Sequence, residues 1–112
     1  MVLGDEGLSA AIVSLAEWDP RVSVGALPQR RCSARTETAA YFCLAGVARS
    51  GGRLDISATV RDGWLVLTLG VDDLSPEAAT EVEDRAGALD GHVQVERRDD
   101  GPAHLRIELP CG

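Results

Sequence analysis

The sequence predicts an α/β fold, a two-layer α/β sandwich in which one mixed sheet of about five strands carries three helices on one face. Three observations predict it. Apolar residues recur at helical spacing in three separated segments, and polar–apolar alternation marks the segments between them. The elements then follow in the order helix, strand, helix, strand, strand, helix, strand, strand. Strands that alternate in this way bury one face only, so helices must cover that face while the other meets water or a partner.

Each element has its own justification. In residues 7–17 the apolar face is Leu8, Ala11, Ile12, Leu15 and Ala16, and the helix stops before Asp19-Pro20. Arg21-Val22-Ser23-Val24 alternates and reads as a short strand. A polar loop follows, with Pro28 and the basic trio Arg30, Arg31 and Arg35. Thr36 is the expected cap of the second helix and Glu37 complements its positive end. Ala39, Ala40, Cys43, Leu44 and Val47 make the buried stripe, which Ser50-Gly51-Gly52 terminates.

Leu54, Ile56, Ala58 and Val60 alternate against Arg53, Asp55, Ser57 and Thr59, and Asp62-Gly63 supplies a two-residue hairpin turn into a strand from Trp64 to Val71. Ser75-Pro76-Glu77 is a helix start: a cap, a residue suited to the first turn, and a charge matched to the dipole. Ala78, Ala79, Val82, Ala86 and Leu89 form that helix's apolar face, and Gly91 closes it. Residues 92–97 and 103–109 make a last hairpin around Asp99-Asp100-Gly101. Trp18 and Trp64, each at the end of an element, are expected to cover the rim of the core.

Composition excludes several functions. The 112 residues, 45% of them apolar, suit one domain, residues 1–112, that buries roughly two thirds of its unfolded surface. All 11 basic residues are Arg and the formal charge is −7, which disfavours nucleic acid as a partner. No apolar run approaches the ~20 residues of a membrane span and no signal peptide is visible, so a cytoplasmic location is expected. Cys32, Cys43 and Cys111 are too few and too scattered for a disulfide framework or a CxxC metal site. Cys43 is expected in the core, Cys32 and Cys111 in exposed segments. His92 and His104 fall on the strands of one hairpin without a third ligand type, so no metal site is read there.

Residues 37–50, Glu-Thr-Ala-Ala-Tyr-Phe-Cys-Leu-Ala-Gly-Val-Ala-Arg-Ser, resemble the nucleotide-site helix of the ATP-binding domain of two-component sensor histidine kinases, members of the GHKL or Bergerat ATPases. Leu3-Gly4-Asp5-Glu6-Gly7-Leu8 with Ala10-Ala11 and Leu15-Ala16 is similar to the segment that opens that domain. Asp84-Arg85-Ala86-Gly87-Ala88-Leu89-Asp90-Gly91 is similar to one near its end, and Val93, Val95 and Leu105 to Pro110 fit its last hairpin. The resemblance covers nearly the whole chain and implies a Bergerat-like sandwich.

It also implies a site, and there the sequence departs from the pattern. Gly46 stands where the family has a Glu, so no residue owns general-base chemistry. Ser50 stands where an Asn holds Mg²⁺ against the phosphates. The chain contains no Asn at all. Asp72-Asp73-Leu74-Ser75-Pro76 either keeps the carboxylate of the adenine box without its glycines or is simply a strand-end turn. The lid is shortened to ten residues between Asp73 and Asp84, read as helix, and Pro102 offers no N–H where a Gly-Thr pair meets phosphate.

Nucleotide contacts, if retained, fall to Asp72, Asp73, Ser50, Glu37, Gly91 and Gly101. No catalytic residue and no metal ligand is assigned. Cofactors are none expected, with ATP and Mg only if the site functions. The implied function is an eroded histidine-kinase-like ATPase domain acting through a protein partner, a kinase or response regulator. The alternative is a divergent module that binds Mg-ATP and donates phosphate to a histidine on a partner. A third reading, a relative of the anti-sigma kinases, needs the same missing Asn. Autophosphorylation in cis is not expected, because no phosphoacceptor helix is visible upstream.

Overall fold

The computed structural model describes residues 7–97 and 102–112. Helix α1 spans Gly7–Trp18, strand β1 Val22–Val24, α2 Ala34–Ala48, β2 Leu54–Arg61, β3 Trp64–Val71, α3 Pro76–Ala88, β4 His92–Glu96 and β5 Ala103–Pro110. This is the predicted order. The opening motif at 3–6 and the hairpin tip at 98–101, Gly101 included, lie outside the described residues.

The five strands make one mixed sheet in the order β1-β2-β3-β5-β4. β1 runs parallel to β2, with α2 as the crossover that a parallel pair requires. The other neighbours are antiparallel. Asp62 and Gly63 turn β2 into β3 with φ of 52° and 83°, the positive pair that two-residue hairpins demand. α3 then carries the chain from β3 to β4, and β5 returns between them.

Alternation decides which face is covered. Leu54, Ile56 and Ala58 of β2, Leu65, Leu67, Leu69 and Val71 of β3, and Ala103, Leu105, Ile107 and Leu109 of β5 are all buried. Leu8 and Ile12 from α1, Ala40, Cys43, Leu44 and Val47 from α2, and Val82 and Ala86 from α3 pack on them. The opposite face presents Asp55, Thr59, Thr68, Gln94 and Arg106, and stays polar.

Four details differ from the sequence-based expectation. The cap of α2 is Ser33, whose hydroxyl accepts the Thr36 N–H; Thr36 is buried and its own hydroxyl donates to the Pro110 carbonyl at 2.7 Å. Trp18 is 87% exposed, because α1 ends where its apolar stripe has already turned away from the sheet. Trp64 lies against His92, ring centroids 5.8 Å apart, on the polar side. Cys32 and Cys111 are joined in a disulfide across 79 residues of sequence, since the end of β5 is brought against the start of α2. Cys43 remains a core thiol, pushed up to about 11 by burial.

Gly91 shows how closely α3 returns onto the sheet. A Cβ built there would sit 2.5 Å from the Glu108 carbonyl oxygen and 2.8 Å from Leu109. Gly91→Ala is therefore expected to destabilise the fold by about 1–3 kcal/mol. Gly87→Ala, inside α3 where a Cβ meets nothing within 4 Å, should stabilise by about 0.5–1 kcal/mol. Chemical denaturation of the two variants checks both signs.

Candidate functional site

Ser50 follows the C-cap of α2, where Gly51 and Gly52 bend the chain toward β2 with φ of 96° and 75°. The bend sets the α2–β2 connection against the end of β3: a Cβ on Gly52 would lie 2.8 Å from the Asp72 Cβ. Here Ser50, Asp72, Asp73, Leu74, Ser75, Arg97 and Ala103 line a pocket of about 270 Å³. That is below the roughly 300–1,000 Å³ of ordinary ligand sites. Three of the six candidate residues, Ser50, Asp72 and Asp73, thus meet in one place.

The polar groups of Ser50 and Asp72 are engaged by the protein itself. The Ser50 hydroxyl accepts the Ser75 N–H at 3.2 Å and lies 3.3 Å from the Ser75 hydroxyl. Ser75 caps α3 by accepting the Ala78 N–H. The Asp72 carboxylate accepts the Arg53 N–H at 3.2 Å, and the Asp72 N–H donates to the Arg53 carbonyl at 3.0 Å, which extends the β2–β3 ladder past its last pair. Arg97 donates to the Leu74 carbonyl at 3.2 Å, which brings its cationic head into the same pocket.

One turn back along α2, Gly46 faces α3. A Cβ there would lie 3.6 Å from the Glu81 carboxyl group and 3.6 Å from Arg49. Glu81 is in turn paired with Arg49 at 3.6 Å and with Arg85 at 3.2 Å, and Arg85 rests over the Phe42 ring at 5.0 Å. The two helices are laced together directly. A larger hollow, about 700 Å³, is an open trough along α3 from Pro76 to Arg85 and holds none of the five described candidates.

Glu37 and Gly91 stand at the other end of the sandwich. Glu37 is separated from Ser50 by nearly the whole of α2, about 20 Å along its axis. It is not a solvated helix-end charge. Only 2% exposed, it accepts both arms of Arg31 at 3.0 and 3.1 Å and the Cys32 N–H at 2.9 Å. Burial pushes its carboxyl up, but the Arg31 guanidinium and the N–H groups of Cys32 and Leu8 outweigh that and hold it below its ordinary value. The basic trio is accordingly split, with Arg31 engaged at Glu37.

Arg97, Ser75 and Glu81 were not singled out from the sequence as site residues, nor was the bond between Cys32 and Cys111. Arg97 gives no local signal, since its role follows from the return of β4 beside Leu74. Among the described residues no group of three or more His, Cys, Asp or Glu gathers to hold a metal, and no helix is long and apolar enough to cross a membrane.

No protein-family model matches the chain, and no curated protein matches it. Solved structures do. The blue-light activated histidine kinase of Erythrobacter litoralis EL346 is 13% identical with a TM-score of 0.69, over 94% of this chain and 42% of that one. The histidine kinase domain of the Escherichia coli osmosensor EnvZ is 13% identical with a TM-score of 0.62, over 94% and 84%. The ATP-binding domain of PrrB from Mycobacterium tuberculosis is 19% identical with a TM-score of 0.59, over 94% and 91%.

The fold is therefore that of the ATP-binding domain of histidine kinases, an α/β sandwich with three helices and five strands among the described residues. The chain spans less than half of the EL346 kinase.

Two outcomes follow for the buried carboxylate. Because its folded value is lowered, Glu37 contributes stability that is present above the ordinary carboxylate range and is lost as pH falls through the folded value. Thermal melts of Glu37→Gln from pH 7 to pH 3 should show a loss of about 1–3 kcal/mol at neutral pH and a shallower decline in acid than the parent.

Proposed function

We propose that this chain is a histidine-kinase-like ATPase domain whose nucleotide site no longer grips Mg-ATP, and that it acts through contact with a protein of a two-component signalling pathway, a kinase or a response regulator. One observation carries the reading. The hydroxyl of Ser50, at the position that resembles the metal-holding Asn, accepts the N–H of Ser75 and is thereby committed to the start of α3.

The residues present do not fit the metal. Mg²⁺ wants near-octahedral oxygen ligands and keeps several waters. Here the pocket offers the Asp72 and Asp73 carboxylates, Asp72 already accepting the Arg53 N–H, and a hydroxyl already bonded, with the Arg97 guanidinium beside them. Gly46 leaves no carboxylate to activate a phosphoacceptor. The short β3–α3 connection supports the same reading, because four residues, Asp72 to Ser75, join the two elements with no loop to close over a triphosphate. A cytoplasmic setting, no nucleic acid and no membrane contact for this chain belong to the reading as well.

The alternative, a divergent module that binds Mg-ATP and passes phosphate to a histidine on a partner, is supported by the convergence of Ser50, Asp72 and Asp73 on one pocket. A thermal-shift titration separates the two. A ligand at 100 times its dissociation constant adds about 2.7 kcal/mol, or roughly ten degrees in Tm for a domain of this size. Millimolar Mg-ATP is expected to leave the midpoint unchanged, and a shift of that size refutes the proposal.

The double variant Gly46→Glu, Ser50→Asn should not restore binding. The new carboxylate would stand against Glu81, and the Asn would have to leave or displace the Ser75 N–H. Recovery of a Mg-ATP shift in that variant would show that these two side chains alone limit the site.

A further inference from the structure

We infer that Cys32 and Cys111 form a thiol–disulfide exchange site, a reversible redox latch that takes small thiols and their disulfides as reactants and sets how firmly the start of α2 is held. The inference is independent of whether the domain binds nucleotide. Its ground is the bond itself, which joins the loop before α2 to the end of β5 with the two Cα atoms 4.6 Å apart.

What makes the bond reversible is that both cysteines are held by other contacts. The Cys32 N–H donates to Glu37 at 2.9 Å, the Ser33 N–H donates to the Cys111 carbonyl at 2.7 Å, and the Cys111 N–H donates to the Gly63 carbonyl at 2.9 Å. Breaking the sulfur bridge leaves these three bonds in place, so the thiols remain neighbours and the bridge can reform. Both residues are partly exposed and within reach of a small reagent. Cys43 does not compete, being fully buried in the core.

The exchange runs in two steps. A thiolate reductant attacks one sulfur of the bridge; the Cys32–Cys111 bond breaks, and the other cysteine leaves as thiolate and takes up a proton. A second thiol attacks the resulting mixed disulfide and releases the cysteine held in it. Two electrons and two protons pass to the protein, and the reductant departs as its own disulfide.

The consequence lies at the Glu37 end of the fold. In the oxidised chain the loop before α2 is anchored through the bridge, through Glu37 and through the Ser33 N–H on the Cys111 carbonyl; in the reduced chain the two non-covalent ties hold it, with Glu37 also gathering the start of α1 through the Leu8 N–H. Disulfides in reducing compartments serve mainly as such switches.

The full chain tests this. Treated with dithiothreitol while folded, it should gain two reagent-accessible thiols, keep its far-ultraviolet circular dichroism and melt about 10 °C lower. Oxidised glutathione should restore the thiol count and the midpoint. Cys32→Ser and Cys111→Ser should melt near the reduced parent and ignore the reductant. Failure of the reduced chain to re-form the bridge, resistance of the bridge until the protein is denatured, or complete unfolding on reduction would each overturn the inference.

Discussion

The four-residue connection from Val71 to Pro76 constrains everything around the site. It is too short to let α3 stand away from the sheet, so α3 starts at the end of β3 and its cap, Ser75, meets Ser50 at the end of α2. Once these two serines touch, α2 and α3 pack side by side, and the Arg49–Glu81–Arg85 pairs and the ring of Phe42 fill the seam. A cleft between those helices would need this contact to be absent.

The opposite end of the sandwich is held by different chemistry. A buried carboxylate, Glu37, gathers Arg31, the Cys32 N–H and the start of α1, while the chain terminus is fastened by the Thr36–Pro110 hydrogen bond and the Cys32–Cys111 bridge. Removing one partner from such a cluster leaves a buried charge unsatisfied, which costs more than the pair contributes when intact. One end of α2 is thus rigid through ionic and covalent ties, and the other through a cap-to-cap contact.

Much of the architecture was legible in the sequence because periodicity reports burial directly. Leu54, Ile56 and Ala58, or Leu65, Leu67 and Leu69, point one way for the reason that strand side chains alternate, and the sheet buries them on the expected face. The Asp62-Gly63 turn and the Ser75 cap were equally readable, each being a local signal. Two of the misses depend on how the chain folds back on itself. Cys32 and Cys111 are 79 residues apart, and Arg31 meets Glu37 because the loop doubles back. Trp18 failed because one residue at a helix end decides between core and solvent. Of the candidate site, the meeting of Ser50 with Asp72 and Asp73 was legible through the resemblance to the kinase domain, whereas Arg97 in the same pocket was not.

The proposal rests on the Ser50 hydroxyl, which is bonded to the start of α3. Backbone amide resonances of Ser50, Asp73 and Ser75 followed during titration with a non-hydrolysable Mg-ATP analogue test it most directly. The account predicts that these amides do not move in a saturable way. Saturable shifts centred on the three residues, with α3 reporting loss of the Ser50–Ser75 contact, would contradict it.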